Sequence, residues 1–267
     1  MPQISINMNF NTVSLRGARF LVALGTGCAI SLIKKLWSMN SMLVNILLKI
    51  LFIAPGLLLG VIVHEVAHGY IAYKFGDPTP KLAGRLSVDP MVHLDPFYSI
   101  FLPIILIAMG SNIIFGMAKP VPINPNNFKD YKRGIRYVSL AGPVSNIVVA
   151  FLAGSLLGIF VGILKFFIPS LLNNPFFNVI EIIFLNTISI NLILALFNLI
   201  PIPPLDGSKV LASFMSYQNM QKFLALGQYG IYIIFLFIYF AGPLLWKIID
   251  PLQQVFTEIC LWWQIFL

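Results

Sequence analysis

Charged residues punctuate this chain so sparsely that the intervals between them read as membrane spans. Twenty-three uncharged residues lie between Asp95 and Lys119, 28 between Arg136 and Lys165, 24 between Glu181 and Asp206, and 24 between Lys222 and Lys247. A helix crosses the hydrocarbon core in about 20 apolar residues, so each interval is long enough. Met42 to Val63 is apolar apart from Lys49, and its helical pattern runs on through His64 to about Tyr73, where Gly76-Asp77-Pro78 predicts a stop. The first apolar run, Phe20 to Ile33, has only 14 residues and predicts a tilted span or a segment lying in the interface. No small-residue cleavage site followed by a soluble domain is present, which argues against a cleaved signal. The stretch Pro251 to Leu267, with Trp262 and Trp263, predicts an interfacial helix.

Two stretches interrupt the helical pattern. Gly76 to Pro96 holds Pro78, Pro80, Gly84, Pro90, His93 and Asp95. Gly116 to Asn127 contains Lys119-Pro120-Val121-Pro122-Ile123-Asn124-Pro125, which predicts extended backbone because proline removes donors and biases the residue before it toward β or polyproline conformations. Such backbone is tolerated at membrane depth only when protein shields it or it lines a wet cavity. The expectation is an all-α polytopic membrane protein of about six transmembrane helices, with short extended or hairpin segments lining a cleft.

Composition agrees: 58% of the 267 residues are hydrophobic, 10% are charged, and the mean hydropathy is +0.90. The net charge of +8 would suggest nucleic acid in a soluble chain, but in one this apolar the excess reads as a topology signal in short loops, with no nucleic-acid partner. Cys28 and Cys260 both lie in apolar surroundings, so neither a disulfide framework nor a thiolate metal site is expected.

The chemistry starts at His64-Glu65-Val66-Ala67-His68. Two histidines at i and i+4 share one helix face and reach one metal, with the intervening glutamate alongside as a base. Ionisable groups at membrane depth each cost a few kcal/mol or more unless paired, protonated or metal-bound, so three in five residues need a shared explanation. The plainer alternative is a helix already out of the bilayer with both histidines solvated. A catalytic metal with an open position needs a third protein ligand. Asp206 is the first candidate, after the proline break Asn198-Leu199-Ile200-Pro201-Ile202-Pro203-Pro204-Leu205; its simpler role is to cap the helix that follows. His93, with Asp95 behind it, is the rival. In Ala141-Gly142-Pro143-Val144-Ser145-Asn146, Gly142 predicts a packing notch, and the amide of Asn146 needs a partner inside an apolar helix and suits an oxyanion.

In this order, the histidine pentad, the Ala141-to-Asn146 helix and the Asn198-to-Gly207 segment resemble the site-2 protease family of zinc intramembrane metalloproteases. The likeness covers roughly 42 to 214 and is strongest to the compact branch without a PDZ domain, through Gly84-Arg85-Leu86, His93-Leu94-Asp95-Pro96 and Ala118-Lys119-Pro120-Val121-Pro122. Ser208 stands where the family often has a second glycine. The resemblance implies one zinc per chain on His64, His68 and Asp206, with Glu65 activating water and Asn146 steadying the tetrahedral intermediate. It also implies transmembrane protein substrates cleaved in or near their membrane segments. His93, Lys119 and Asn124 are the candidate residues of the substrate cleft. The chain then divides into an N-terminal segment with a short membrane helix (1–41), an intramembrane protease core (42–215) and C-terminal transmembrane and interfacial helices (216–267). A metal-binding transporter or a non-catalytic scaffold is the alternative; spans almost bare of charge favour an enzyme.

Topology adds a constraint. His64, His68 and Asp206 each follow about 20 apolar residues, so their helices must run parallel with an odd number of crossings between, whereas hydropathy gives two, 97–117 and 137–164. Parity returns if Lys119 to Asn124 comes back through the protein as extended chain, where it would offer an edge to an unwound substrate, or if 97–117 is re-entrant. The basic residues then gather on one face, Lys74, Lys81, Arg85, Lys129, Lys132, Arg133, Arg136, Lys209 and Lys222 among them, which places the site nearer the cytoplasmic side of a multi-pass cell-membrane protein.

Overall fold

The computed structural model describes residues 27–95, 101, 105 and 119–261. The 97–117 segment, apart from two isolated residues, and Trp262 and Trp263 therefore lie outside the described residues, as do Arg16, Arg19 and the start of the first apolar run. The chain divides into two units, 1–51 and 52–267. What is described of the first is helical from Gly27.

The elements are α1 (Gly27–Lys74), α2 (Thr79–Leu82), α3 (Pro90–His93), α4 (Tyr131–Phe167), α5 (Pro175–Asn198), α6 (Asp206–Ala212), α7 (Tyr217–Ala225) and α8 (Gly230–Leu261). Among the described residues there is no strand, and three helices are long and apolar enough to cross a membrane: Ile50–Lys74, Tyr131–Phe167 and Pro175–Asn198. Helix α1 is longer than its apolar run, because Lys34, Lys35 and Ser38 are acceptable helix residues. The Gly76-Asp77-Pro78 stop falls where expected: Gly76 adopts φ +108°, a conformation that side chains resist. No separate C-terminal helix begins at Pro251, since α8 passes through it to Leu261.

Helix packing follows from small residues. The inward face of α4 carries Gly142, Ala150, Ala153, Gly154, Gly158 and Gly162, all buried, whereas Val144, Val148, Phe151, Leu152, Leu156 and Ile163 are exposed where lipid would cover them. Ala150 and Ala153 pack on Ile188 and Leu192 of α5, and Leu157, Val161 and Leu164 on Phe177. Gly56 abuts Thr187 and Gly60 abuts Asn191, whose amide donates to Gly56 O at 3.1 Å and Thr187 O at 2.8 Å.

These contacts also fix direction. Between α1 and α5 the paired numbers rise together, 56 with 187 and 60 with 191, so the two helices run parallel. Between α1 and α4 they run oppositely: His68 meets Val138, Ala72 shares a cluster with Ile135, and Phe75 O accepts from Lys129 N–H at 3.0 Å. Residues 75–77 and 124–129 thus stand at the same end, and α4 alone supplies the net crossing that parity requires.

Candidate metal centre

Three helices converge where α1 nears its end. His64 and His68, one turn apart, point the same way, and Asp206 opens α6 just beyond the end of α5. The Nε2 atoms of the two imidazoles are 2.9 Å apart, and Asp206 Oδ2 lies 3.2 Å from the first and 3.0 Å from the second. All three residues are buried, with exposures of 8%, 7% and 6% in chain order. They form a group of potential ligands with every ligating atom within 4.8 Å of the others. His93 is not part of it.

The donor chemistry fits a cation. His68 Nδ1 faces the Val138 carbonyl at 2.6 Å, which requires a proton on Nδ1 and, in the neutral ring, leaves a lone pair on Nε2. With both imidazoles neutral and unprotonated at Nε2, two ring nitrogens and a carboxylate oxygen converge as lone-pair donors that suit a divalent ion. Four-coordinate zinc with bonds of about 2.0–2.1 Å sets its ligand atoms about 3.4 Å apart, close to the spacing here. Two imidazoles and one carboxylate also leave a fourth position open.

The ligands are held from behind. Asp206 Oδ1 accepts from Lys209 Nζ at 3.0 Å, so only Oδ2 is turned to the histidines. Asp206 is the first residue of α6 and its side chain makes no cap, so the capping role expected beside ligation is absent; Leu205 precedes the helix without a side-chain cap. Gly142 of α4 lies against both imidazoles: a Cβ there would overlap His64 Cε1, His64 Nε2 and His68 Nε2. The notch expected at Gly142 therefore admits ligands rather than a neighbouring helix backbone. Asn146, one turn further along the same face, is fully buried, and neither its amide oxygen nor its nitrogen has a hydrogen-bond partner among the described residues.

Glu65 is half-buried, and its Oε2 accepts from the Val121 N–H at 2.9 Å. The 119–124 segment is therefore beside the glutamate, extended at Asn124 (φ −109°, ψ 98°) and followed by a short 3-10 turn, Pro125–Asn127. Lys119 N–H donates to His93 O at 2.9 Å, and Lys119 O accepts from the Arg85 guanidinium. The His93 side chain is buried, with Nε2 at 2.7 Å from Ser87 O, while its backbone carbonyl supports Lys119. Lys119 is exposed, while Asn124 turns its Oδ1 back to Asn126 N–H at 3.2 Å.

Sequence reasoning passed over four contributors. Lys209 carried a usable signal, three residues after Asp206 on one helix face. Arg85 was noted for its charge and within Gly84-Arg85-Leu86, not as a support of Lys119. The Val138 carbonyl had none, because main-chain groups are the same at every residue. Asp77 read as turn punctuation; it is fully buried. Burial raises its carboxyl pKa, but donors from Thr79, Asn127 and Asn124 outweigh this and hold it below the usual carboxylate range.

Comparison with known proteins gives the family. The model of peptidase family M50 matches residues 52–242. YwhC of Bacillus subtilis, whose name marks it as a candidate zinc metalloprotease, is 38% identical over 204 residues, covering 73% of this chain and 86% of its own. Rip2 of Mycolicibacterium smegmatis, named in the same way, is 28% identical over 216 residues, 79% of this chain and 72% of that protein. Rip2 of Mycobacterium tuberculosis is 28% identical over 195 residues, 72% of this chain and 68% of its own. No solved structure matches significantly.

Proposed function

Because this chain belongs to peptidase family M50 and is a membrane metalloprotease, we propose that it is an intramembrane zinc endopeptidase that cuts transmembrane segments of other proteins, as in regulated intramembrane proteolysis. The observation that carries this reading is the meeting of His64 Nε2, His68 Nε2 and Asp206 Oδ2 within 3.2 Å, from positions up to 142 residues apart, with both histidines on a helix long and apolar enough to span. His64, His68 and Asp206 hold one zinc ion. Zinc bound there supplies a Lewis acid that acidifies water and polarises a peptide carbonyl.

The remaining work falls to the chain. Glu65, with Oε2 engaged by Val121 N–H, keeps Oε1 to take a proton from the attacking water and pass it to the leaving amine. Asn146, buried and without a partner, offers its amide N–H to the developing oxyanion. A substrate helix hides its amides in i to i−4 bonds and must unwind first, so substrates carry helix-breaking residues near the cut. The extended 119–124 segment gives the unwound strand an edge to lie along, with Lys119 at its mouth and His93 bracing it. The basic residues Lys74, Lys81, Lys129, Lys132, Arg133 and Arg136 lie near the end where residue 75 meets residue 129, which supports a reading with that end, and the nearby zinc, toward the cytoplasm of a multi-pass cell-membrane protein.

The test is cleavage of a labelled transmembrane peptide by the purified chain in detergent. Cleavage is expected to stop with a chelator and in Glu65→Gln, which should retain its metal. Full activity in Glu65→Gln refutes the reading.

A further inference from the structure

Asp77 is neither a ligand nor near one in sequence, yet four donors converge on its buried carboxylate. Thr79 N–H at 3.1 Å, Thr79 Oγ1 at 2.6 Å and Asn127 Nδ2 at 2.8 Å reach Oδ1, and Asn124 N–H reaches Oδ2 at 2.7 Å. The Thr79 N–H bond is that of an Asx turn, and the Thr79 hydroxyl adds a second local donor. The other two arrive from 47 and 50 residues away. No bond of the local turn serves Oδ2, so loss of the Asn124 amide would leave a buried, charged oxygen without a donor.

The segment held in this way is the one that touches Glu65. Three residues before Asn124, Val121 N–H donates to Glu65 Oε2, and between them stands Pro122, which has no N–H. Extended chain advances about 3.3 Å per residue, more than a hydrogen bond tolerates. A slip of one residue in either direction would therefore present Pro120 or Pro122 to Glu65, and the carboxylate would lose its donor. The register matters, and Asn124 is its anchor on the side away from Lys119.

We propose that Asp77 is a positioning residue for Glu65: by fixing Asn124 and Asn127 it sets the register in which Val121 N–H takes Glu65 Oε2 and leaves Oε1 to the reaction. This rests on the reading of Glu65 as the proton acceptor, and the experiment separates the two.

Hydrogen exchange of the 119–129 amides and cleavage kinetics are measured on the full chain in detergent for the native protein, Asp77→Asn, Asn127→Asp and the double variant. In Asp77→Asn the Val121 and Asn124 amides exchange faster, those of α4 do not change, zinc content is kept, and kcat falls about 10-fold with KM nearly constant, as for a group acting through a catalytic one. The double variant exchanges donor for acceptor between 77 and 127 and recovers part of kcat. Unchanged exchange, or faster exchange with native kcat, overturns the proposal. Should Asp77→Asn fail to fold, Asn127→Leu, at an exposed position, must show the same signs at smaller size or the proposal falls. In a Glu65→Gln background Asp77→Asn must still speed exchange at Asn124; slow exchange there sinks the clamp alone, whereas an active Glu65→Gln sinks the peptidase reading.

Discussion

The two sides of this site are built by different means. On the helical side, α1, α4 and α6 set His64, His68, Gly142 and Asp206 by spacing and by the volume of what lies between them, with Gly142 closing on the imidazoles. On the extended side, Val121 and Phe128 are buried, and residues 119–129 are held as well by hydrogen bonds to His93, Arg85, Glu65, Asp77 and Phe75. The helical side is therefore governed by volume, and the extended side by polar pairing in addition to packing. The difference places rigidity at the metal and adjustability at the edge where a substrate strand would lie.

Changes of volume against the ligands should have the largest effect. Gly142→Val puts a branched side chain where His64 and His68 stand, and overpacking on this scale costs about 1–3 kcal/mol before any ligand is displaced. Metal content and cleavage are both expected to fall to near zero while the protein stays helical; native metal content in that variant would break the contrast. Next comes Lys209→Met, which removes the bond to Asp206 Oδ1 and frees the carboxylate to rotate. Outer-shell losses of this kind weaken metal affinity by about 10-fold, readable by competition with a chelator.

The smallest effect is a pH dependence confined to the extended side. Because the folded pKa of Asp77 is lowered, its contribution to stability is complete above the ordinary carboxylate value of about 3.9 and is lost as pH falls through the lower folded value. Exchange at Asn124 in the native protein should therefore accelerate only below about pH 3.9 and there approach that of Asp77→Asn, which lacks the titrating group. Equal acid sensitivity in both proteins would show that the segment is held by something else.

The same contrast explains what was legible in the amino-acid sequence. The ligand histidines declared themselves by helical spacing, Asp206 by its place after a proline break, and Gly142 by small size in an apolar helix. Each is a property of a residue type at a position. The parallel run of α1 and α5 followed from requiring the ligands to meet. The clamps on 119–129 were hidden because they use main-chain groups: Lys119 O, Val121 N–H and Asn124 N–H look the same in any sequence. Asp77 and Arg85 thus read as a turn residue and a loop charge. Helix α8 also ran past its expected end, since a proline costs least where its missing donor is met by other adjustments within a long apolar helix.

Gly142 carries a last implication. Where two imidazoles rest on a bare α-carbon, the alphabet at that position shrinks to a single letter, since even a methyl group would occupy ground the ligands already hold. Any lineage that lost this glycine would have to rebuild its neighbours at the same step, so the position works as a simple test of whether a distant relative still binds metal.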